Sequence, residues 1–274
     1  MDIKNRNFDN EALRARFNPP GSVLRRQQNR MLEILTAVDK VCKKHSIRYW
    51  LSSGTLLGAM RHDGFIPWDD DLDIEMMRED YLMFLKVAAA ELPANMALQS
   101  MDTDENYFYF YAKVRDRDSY MEELNHYDRR LKEKGIYIDV MPVEKQPMIL
   151  HKLTEKLQGH VYKIWRTSTD DDKSMKKVRM ITRFNRYVSY PLLRILCKLS
   201  GTNNVTSGMG IPFHNPRRMK HIFPLTAHIF EGHYFPVPGN SDALLRGLYG
   251  NYMKLPDVDK INLHVDTIKF KENK

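Results

Sequence analysis

The sequence predicts an α+β fold, on three observations. Short runs with strand character recur between residues 47 and 142, helical periodicities separate them, and beyond residue 145 the helical period takes over. The expected architecture is a mixed sheet flanked by helices, followed by a mostly helical C-terminal part. The expected division is an N-terminal arm over 1–21, a core over 22–145 and a basic, mostly helical region over 146–274.

A chain of 274 residues with 42% hydrophobic content can bury a core of this kind. Its longest uncharged apolar-leaning run, near Tyr187 to Leu193, is too short to span a bilayer, and the opening Met1 to Arg6 lacks the apolar centre of a signal peptide. A cytoplasmic protein is therefore expected. Cys42 and Cys197 sit among apolar neighbours at helical spacing, which suits reduced core thiols better than a disulfide or zinc framework.

Taken in order, residues 1–21 are polar and end in the breaker cluster Asn18-Pro19-Pro20-Gly21, so an arm is expected there. Ser22 is a helix N-cap, and Leu24, Met31, Leu35, Val38 and Cys42 mark one face down to about His45. Ile47 to Ser52 reads as a strand that delivers the chain to Gly54, and Leu56 to Arg61 as a short helix. Asp69 to Met77 reads as the next strand. Arg78 to Leu92 reads as a helix with Tyr81, Phe84, Leu85 and Ala88 on one face, closed by Pro93. Met96 to Gln99, Tyr107 to Arg115 and Ser119 to Glu123 read as short strands, the middle one aromatic and suited to sheet packing. Gly135 to Pro142 is an apolar strand. Helices follow over His151 to Arg166 and from about Lys173, with Pro191 as a kink. Gly201 to Pro216 reads as a loop, and a last helix carries Leu244, Leu245 and Leu248. His214, His221 and His228 lack ligand spacing with acidic or thiol companions and are expected to be structural or surface residues.

The chemistry centres on residues 53–74. Asp69, Asp70, Asp71 and Asp73 crowd into five positions and run into the alternation Leu72, Asp73, Ile74. On a strand, Asp69, Asp71 and Asp73 share a face, and a divalent cation would relieve their repulsion. A solvated acidic loop is the competing reading, and the alternation favours a strand with an acidic face above a buried one. Upstream, Ser53-Gly54-Thr55 stands between a strand and a helix start, where small residues let backbone N–H groups approach a phosphate. Further on, Asp139 interrupts Ile136 to Met141, and a carboxylate in such a run needs a partner or a function. Between Lys173 and Phe230 the chain has no Asp or Glu, so much of the net charge of +8 is concentrated there and suits an anionic partner. The helix within that stretch has an apolar stripe bordered by cations, which either lies on an anionic membrane or packs on the core.

The block Gly54 to Ala59, Arg61-His62, Gly64 to Asp71 and Asp73-Ile74 resembles the LicD family of phosphotransferases, which includes the fukutin-type proteins. The resemblance extends in scattered blocks over roughly 24–257, with no specific match around 150–225. It implies a nucleotidyltransferase-like fold and metal-dependent transfer of a phospho-alcohol, typically phosphocholine, from a CDP-activated donor to a sugar hydroxyl of a cell-surface glycan such as lipopolysaccharide or teichoic acid. On it, Asp71, Asp73 and Asp139 hold Mg²⁺, with Mn²⁺ as the alternative, and Asp69 supports them. Independently of the resemblance, Asp139 is the expected general base, on the hypothesis that it lies nearest the incoming hydroxyl. Ser53, Gly54 and Thr55 bind phosphate, with Arg61, Lys113 and Arg115 as further phosphate contacts. A quaternary ammonium would need a cation–π surface, for which Trp50, Trp68 and Tyr107, Tyr109 and Tyr111 are available. Two other readings stay open: transfer of the nucleoside monophosphate, and a non-catalytic module holding an anionic glycan or membrane. Peripheral contact with the inner membrane surface is compatible with either class. Nucleic acid is not expected, because the basic run carries no recognition motif.

Overall fold

The computed structural model describes residues 8–123, 126–213, 216–261 and 267–271. His214 lies outside them. The elements in chain order are α1 (Asn10–Phe17), α2 (Val23–Lys44), β1 (Trp50–Leu51), α3 (Ser53–His62), β2 (Asp73–Met77), α4 (Arg78–Glu91), β3 (Met96–Gln99), β4 (Ala112–Asp116), β5 (Ser119–Glu122) and β6 (Tyr137–Lys145). There follow α5 (Met148–Arg166), α6 (Asp171–Phe184), a π turn (Asn185–Ser189), α7 (Tyr190–Leu199), β7 (Asn204–Ser207), β8 (Arg217–Arg218), α8 (Met219–Ile222), β9 (Thr226–Phe230), β10 (His233–Val237), α9 (Ser241–Tyr249) and β11 (Thr267–Phe270).

The main sheet has the order β1-β2-β6-β4-β3, with β7 added to β6 and β8 to β7. β2 and β6 are parallel and the other neighbours antiparallel, which makes the sheet mixed. The fold is thus α+β. β6 is central, and its Ile138, Val140 and Val143 are completely buried. The main core draws on α2, α3, α4 and the sheet, and also on Phe230, Phe235, Val237, Leu245 and Tyr252. Segments on both sides of residue 145 therefore build one core and one sheet.

Helix starts follow the local chemistry. Ser22 Oγ accepts from Arg25 N at 3.2 Å, Asp170 from Lys173 N at 3.0 Å and Asn240 from Ala243 N at 3.0 Å, each satisfying an N–H with no partner inside the helix. α2 buries Met31, Leu35, Val38 and Cys42 as the spacing predicts, while Leu24 is half-buried. α4 stops before Pro93. Both cysteines are buried with free thiols.

Tertiary contacts alter several expectations. The N-terminal segment is a helix over residues 10–17 rather than an arm. Asp9 caps it through Glu11 N and Ala12 N, Leu13 and Phe17 are buried, and Phe17 packs edge-on to Trp68 with ring centroids 5.2 Å apart. The acidic strand begins only at Asp73. Residues 69–72 precede the strand, and α2 takes up the first two of their carbonyls: Gln28 Nε2 donates to Asp69 O at 2.9 Å and Gln27 Nε2 to Asp70 O at 2.7 Å, while Leu72 O accepts from Asp139 N at 2.9 Å. The first strand shrinks to Trp50–Leu51. The aromatic run 107–111 precedes β4 instead of forming it, since Tyr107, Phe108 and Tyr109 fill the space against Val161, Trp165 and Val178 of α5 and α6. Within the expected loop 201–216, β7 pairs with the end of β6, Val143 opposite Ser207, and so satisfies backbone groups there. The irregularity expected at Pro191 falls one turn earlier, at the π turn, because Pro191 has no N–H to continue the helix ladder.

Gly58 sets how closely α3 approaches the chain leading into the acidic loop. A Cβ there would stand 2.5 Å from Gly64 O and 3.1 Å from Ile66 N, both backbone atoms. Gly58→Ala is expected to destabilise the protein by about 1–3 kcal/mol through overpacking. Urea unfolding should show a lower midpoint at unchanged slope; an unaltered midpoint would remove this role.

Candidate active site

Three neighbouring strands place Asp73, Asp139 and Lys113 in one row. Asp73 of β2 is the register partner of Asp139 of β6, and Asp139 that of Lys113 of β4. Lys113 Nζ donates to Asp139 Oδ1 at 2.9 Å, and its ammonium stands 3.3 Å from the centroid of the Tyr137 ring, with Tyr111 and Tyr109 at 5.6 and 5.7 Å. The lone carboxylate of the apolar strand thus has its partner.

Asp69 and Asp71 approach the same place from the loop. A Cβ on Gly54 would stand 2.9 Å from Asp69 Oδ2 and 3.8 Å from Asp71 Oδ1, so a larger residue where the carboxylates meet the start of α3 would push the Asp69 carboxylate aside. Thr55 Oγ1 accepts from Asp73 N at 2.8 Å and ties that helix start to β2. Ser53 has φ +50° and is followed by right-handed helix, the backbone pattern that gathers successive N–H groups into an anion-binding concavity. The positive end of α3 adds to it.

The carboxylates are electrostatically crowded. Burial, then Asp71 and Asp70, hold Asp69 well above the ordinary carboxylate range; burial, then Asp71 and Asp139, do the same for Asp73. Burial also raises Asp139, against the opposing charge of Lys113. Asp71 is raised to about 6, first by desolvation among the surrounding protein atoms and then by Asp70 and Asp139, although it is the member of the group most open to solvent.

These shifts predict a stability effect. Each folded carboxylate holds its proton more tightly than the unfolded one, so the stabilisation is complete below the unfolded value of 3.8 and is lost as pH rises through the folded value, about 6 for Asp71. Asp71→Asn removes this loss. Without added metal the variant should be more stable than the wild type at neutral pH by on the order of 1 kcal/mol after solvent screening, or about 2–4 °C in Tm, with the difference closing toward pH 4. A lower Tm for the variant at neutral pH would contradict it.

The remaining candidates divide. Arg61 turns inward: its Nε donates to His62 Nε2 at 2.8 Å and its Nη1 to Tyr252 O at 2.9 Å, and burial lowers it to about 10 against the pull of Asp69. Arg115 is fully buried and donates to Gln99, Gly135 O and Glu123, so its guanidinium is committed within the fold. Trp50 is buried and donates to Glu75, and Trp68 packs between Phe17 and His62. Tyr109 and Tyr111 line a cavity of about 280 Å³ that also includes Tyr81, Tyr190, Arg78 and Arg186. His228 bonds within its own strand, at Ile229 O, and His221 is half-buried.

Gln27 and Gln28 are positioning residues absent from the sequence-based set. They fix the backbone of the acidic loop from α2, and the available signal was two consecutive amides at buried turns of an otherwise apolar face. For a cation, the donor set is suitable in kind: four carboxylates press on one another, with the Lys113 ammonium and the Arg61 guanidinium to offset them. Among the described residues no three His, Cys, Asp or Glu side chains already stand in a closed ligand arrangement, and Asp139 is engaged by Lys113.

Residues 46–168 match the family described as LicD/FKTN/FKRP, nucleotidyltransferase domain. The chain is 27% identical over 257 residues to the lipopolysaccharide cholinephosphotransferase LicD of Haemophilus influenzae, covering 85% of this chain and 92% of that protein. Over 40 residues it is 50% identical to the human ribitol 5-phosphate transferase FKRP, 15% of this chain and 8% of that protein. Over 54 residues it is 39% identical to the mouse ribitol-5-phosphate transferase FKTN, 20% of this chain and 12% of that protein.

Proposed function

We propose, from its membership of the LicD family, that this chain is a phosphotransferase that moves a phospho-alcohol from a CDP-activated donor to a sugar hydroxyl of a cell-surface glycan. The observation that carries the reading is the row Asp73, Asp139 and Lys113 facing the carboxylates of Asp69 and Asp71 at the start of α3. Similarity to a cholinephosphotransferase along most of the chain supports phosphocholine as the transferred group, and the short matches to ribitol phosphate transferases keep phosphoribitol in the same class.

In this mechanism Asp71, Asp73 and Asp139 would hold Mg²⁺ or Mn²⁺, which when bound offsets charge on the donor pyrophosphate and on the transferred phosphoryl group. The N–H groups of Gly54 and Thr55 bind phosphate oxygens at the positive end of α3. Lys113 orients Asp139 and contributes positive charge beside the donor. The acceptor oxygen attacks the phosphorus bearing the alcohol, the bond to the CMP oxygen breaks, and CMP leaves. Asp139 takes the hydroxyl proton, since burial raises its basicity. Asp69 backs the site from Arg61. Arg61 and Arg115 shape the site from within the fold rather than touching substrate.

Calorimetric titration of the full chain with CDP-choline, CDP-ethanolamine, CDP-ribitol and CDP, with and without Mg²⁺, tests the proposal. One CDP-alcohol should bind roughly tenfold or more tightly than CDP and only with the metal, a difference of about 1.4 kcal/mol. Absence of binding by every CDP compound overturns it, and product mass with a glycan acceptor separates phospho-alcohol transfer from nucleotide transfer.

A further inference from the structure

We infer that the outward face of the α6–α7 segment docks on an anionic phospholipid membrane surface. Met180, Phe184, Val188, Leu192, Ile195 and Leu199 recur every three or four residues through α6, the π turn and α7, and they are 40 to 78% exposed. That spacing gathers them on one side of the helix. The other side is already packed: Met175, Val178, Thr182, Asn185, Tyr190 and Cys197 are buried. A helix packed along one face ordinarily shows polar residues on the other, and here the outer face is apolar over about five turns.

Charge identifies the occupant. Residues 173–230 contain no Asp or Glu. Arg179, Arg186 and Arg194 pair with Glu105, Asp102 and Glu144 of the body of the protein. Lys173, Lys176, Lys177, Arg183 and Lys198 are exposed, and among the described residues they make no ion pair. An apolar row edged by unpaired cations complements a surface that is apolar below and anionic at the level of its headgroups. A second copy of the same face would set these cations against their own kind. Among the described residues no helix is long and apolar enough to cross a membrane, so the segment lies along the surface. The same segment lines the cavity beside the site through Arg186 and Arg194, so docking holds the cavity near the membrane, with the helix between them.

Vesicle flotation of the full chain tests the inference, with phosphatidylglycerol and phosphatidylethanolamine vesicles compared with phosphatidylcholine alone. The protein should float with the anionic vesicles only, and less as salt is raised. Lys176→Gln/Lys177→Gln should weaken binding by roughly 25-fold, about fivefold for each charge. Phe184→Ser/Leu192→Ser/Leu199→Ser should weaken it by roughly 100-fold or more, with little change in melting temperature because these side chains are exposed. The wild-type comparison needs no variant to fold. Failure to float with anionic vesicles, equal binding to both vesicle types, or binding unaffected by the serine substitutions overturns the assignment. So does a concentration-dependent dimer in sedimentation that the serine variant abolishes.

Discussion

The Asp71→Asn/Asp73→Asn variant is expected to fold and to lose transfer activity by on the order of 10⁴-fold. Loss of one preorganised electrostatic group in such a site typically costs about 10²–10³ in rate. The two carboxylates would act on the same cation, so their effects should combine to less than the product. Folding should survive because each amide replaces a carboxylate that its neighbours and its burial already destabilise. Backbone contacts that position the site, such as Asp73 N to Thr55 Oγ1, remain possible in the variant. Product mass after prolonged incubation with donor and acceptor, beside a melting curve, measures both consequences. Activity within tenfold of the wild type would remove Asp71 and Asp73 from the catalytic role.

Arg115→Leu is expected to destabilise the protein by about 3–5 kcal/mol, the usual cost of removing one member of a buried ion pair. Arg115 is completely buried, its Nη2 is 2.9 Å from Glu123 Oε1, and Glu123 is 6% exposed, so the remaining carboxylate would be left uncompensated in the interior. Gly135 O and Gln99 Oε1 would lose donors at 2.9 and 2.6 Å. Replacing both charges, as Arg115→Met/Glu123→Leu, should recover much of the loss because no charge then remains unpaired. Denaturant unfolding of the single and double variants checks this. A single variant as stable as the wild type would return Arg115 to the phosphate-binding candidates.

Lys113 and Arg115 show what local pattern leaves undecided. Two residues apart on one strand, they read as equivalent bases, yet Lys113 is paired across the sheet with Asp139 while Arg115 is closed in with Glu123. The difference lies in which segments lie beside β4, and those segments are distant in sequence. The helix over residues 10–17 escaped a reading based on polarity and breakers for the same reason, since its stabilising contacts with Trp68 and Glu231 are remote. The aromatic run 107–111 reads as a strand by propensity, but α5 and α6 supply the apolar surface that it fills. Gln27 and Gln28 look like interruptions of an apolar face until their targets, the carbonyls of the acidic loop, are in place.

By itself the sequence determined the α+β class, the Ser22 cap of α2, and the placing of Gly54 at a helix start and of Asp139 in an apolar strand. These depend on short-range physics: hydrophobic period, N-cap hydrogen bonds, glycine at a helix start, and the cost of a carboxylate in an apolar strand. Only the tertiary structure decided that Asp73 and Asp139 are partners on parallel strands, that Lys113 holds Asp139, and that Asp69 and Asp71 close over Gly54. Strand order and register are long-range choices made by burial of the whole sheet, and no local window contains them.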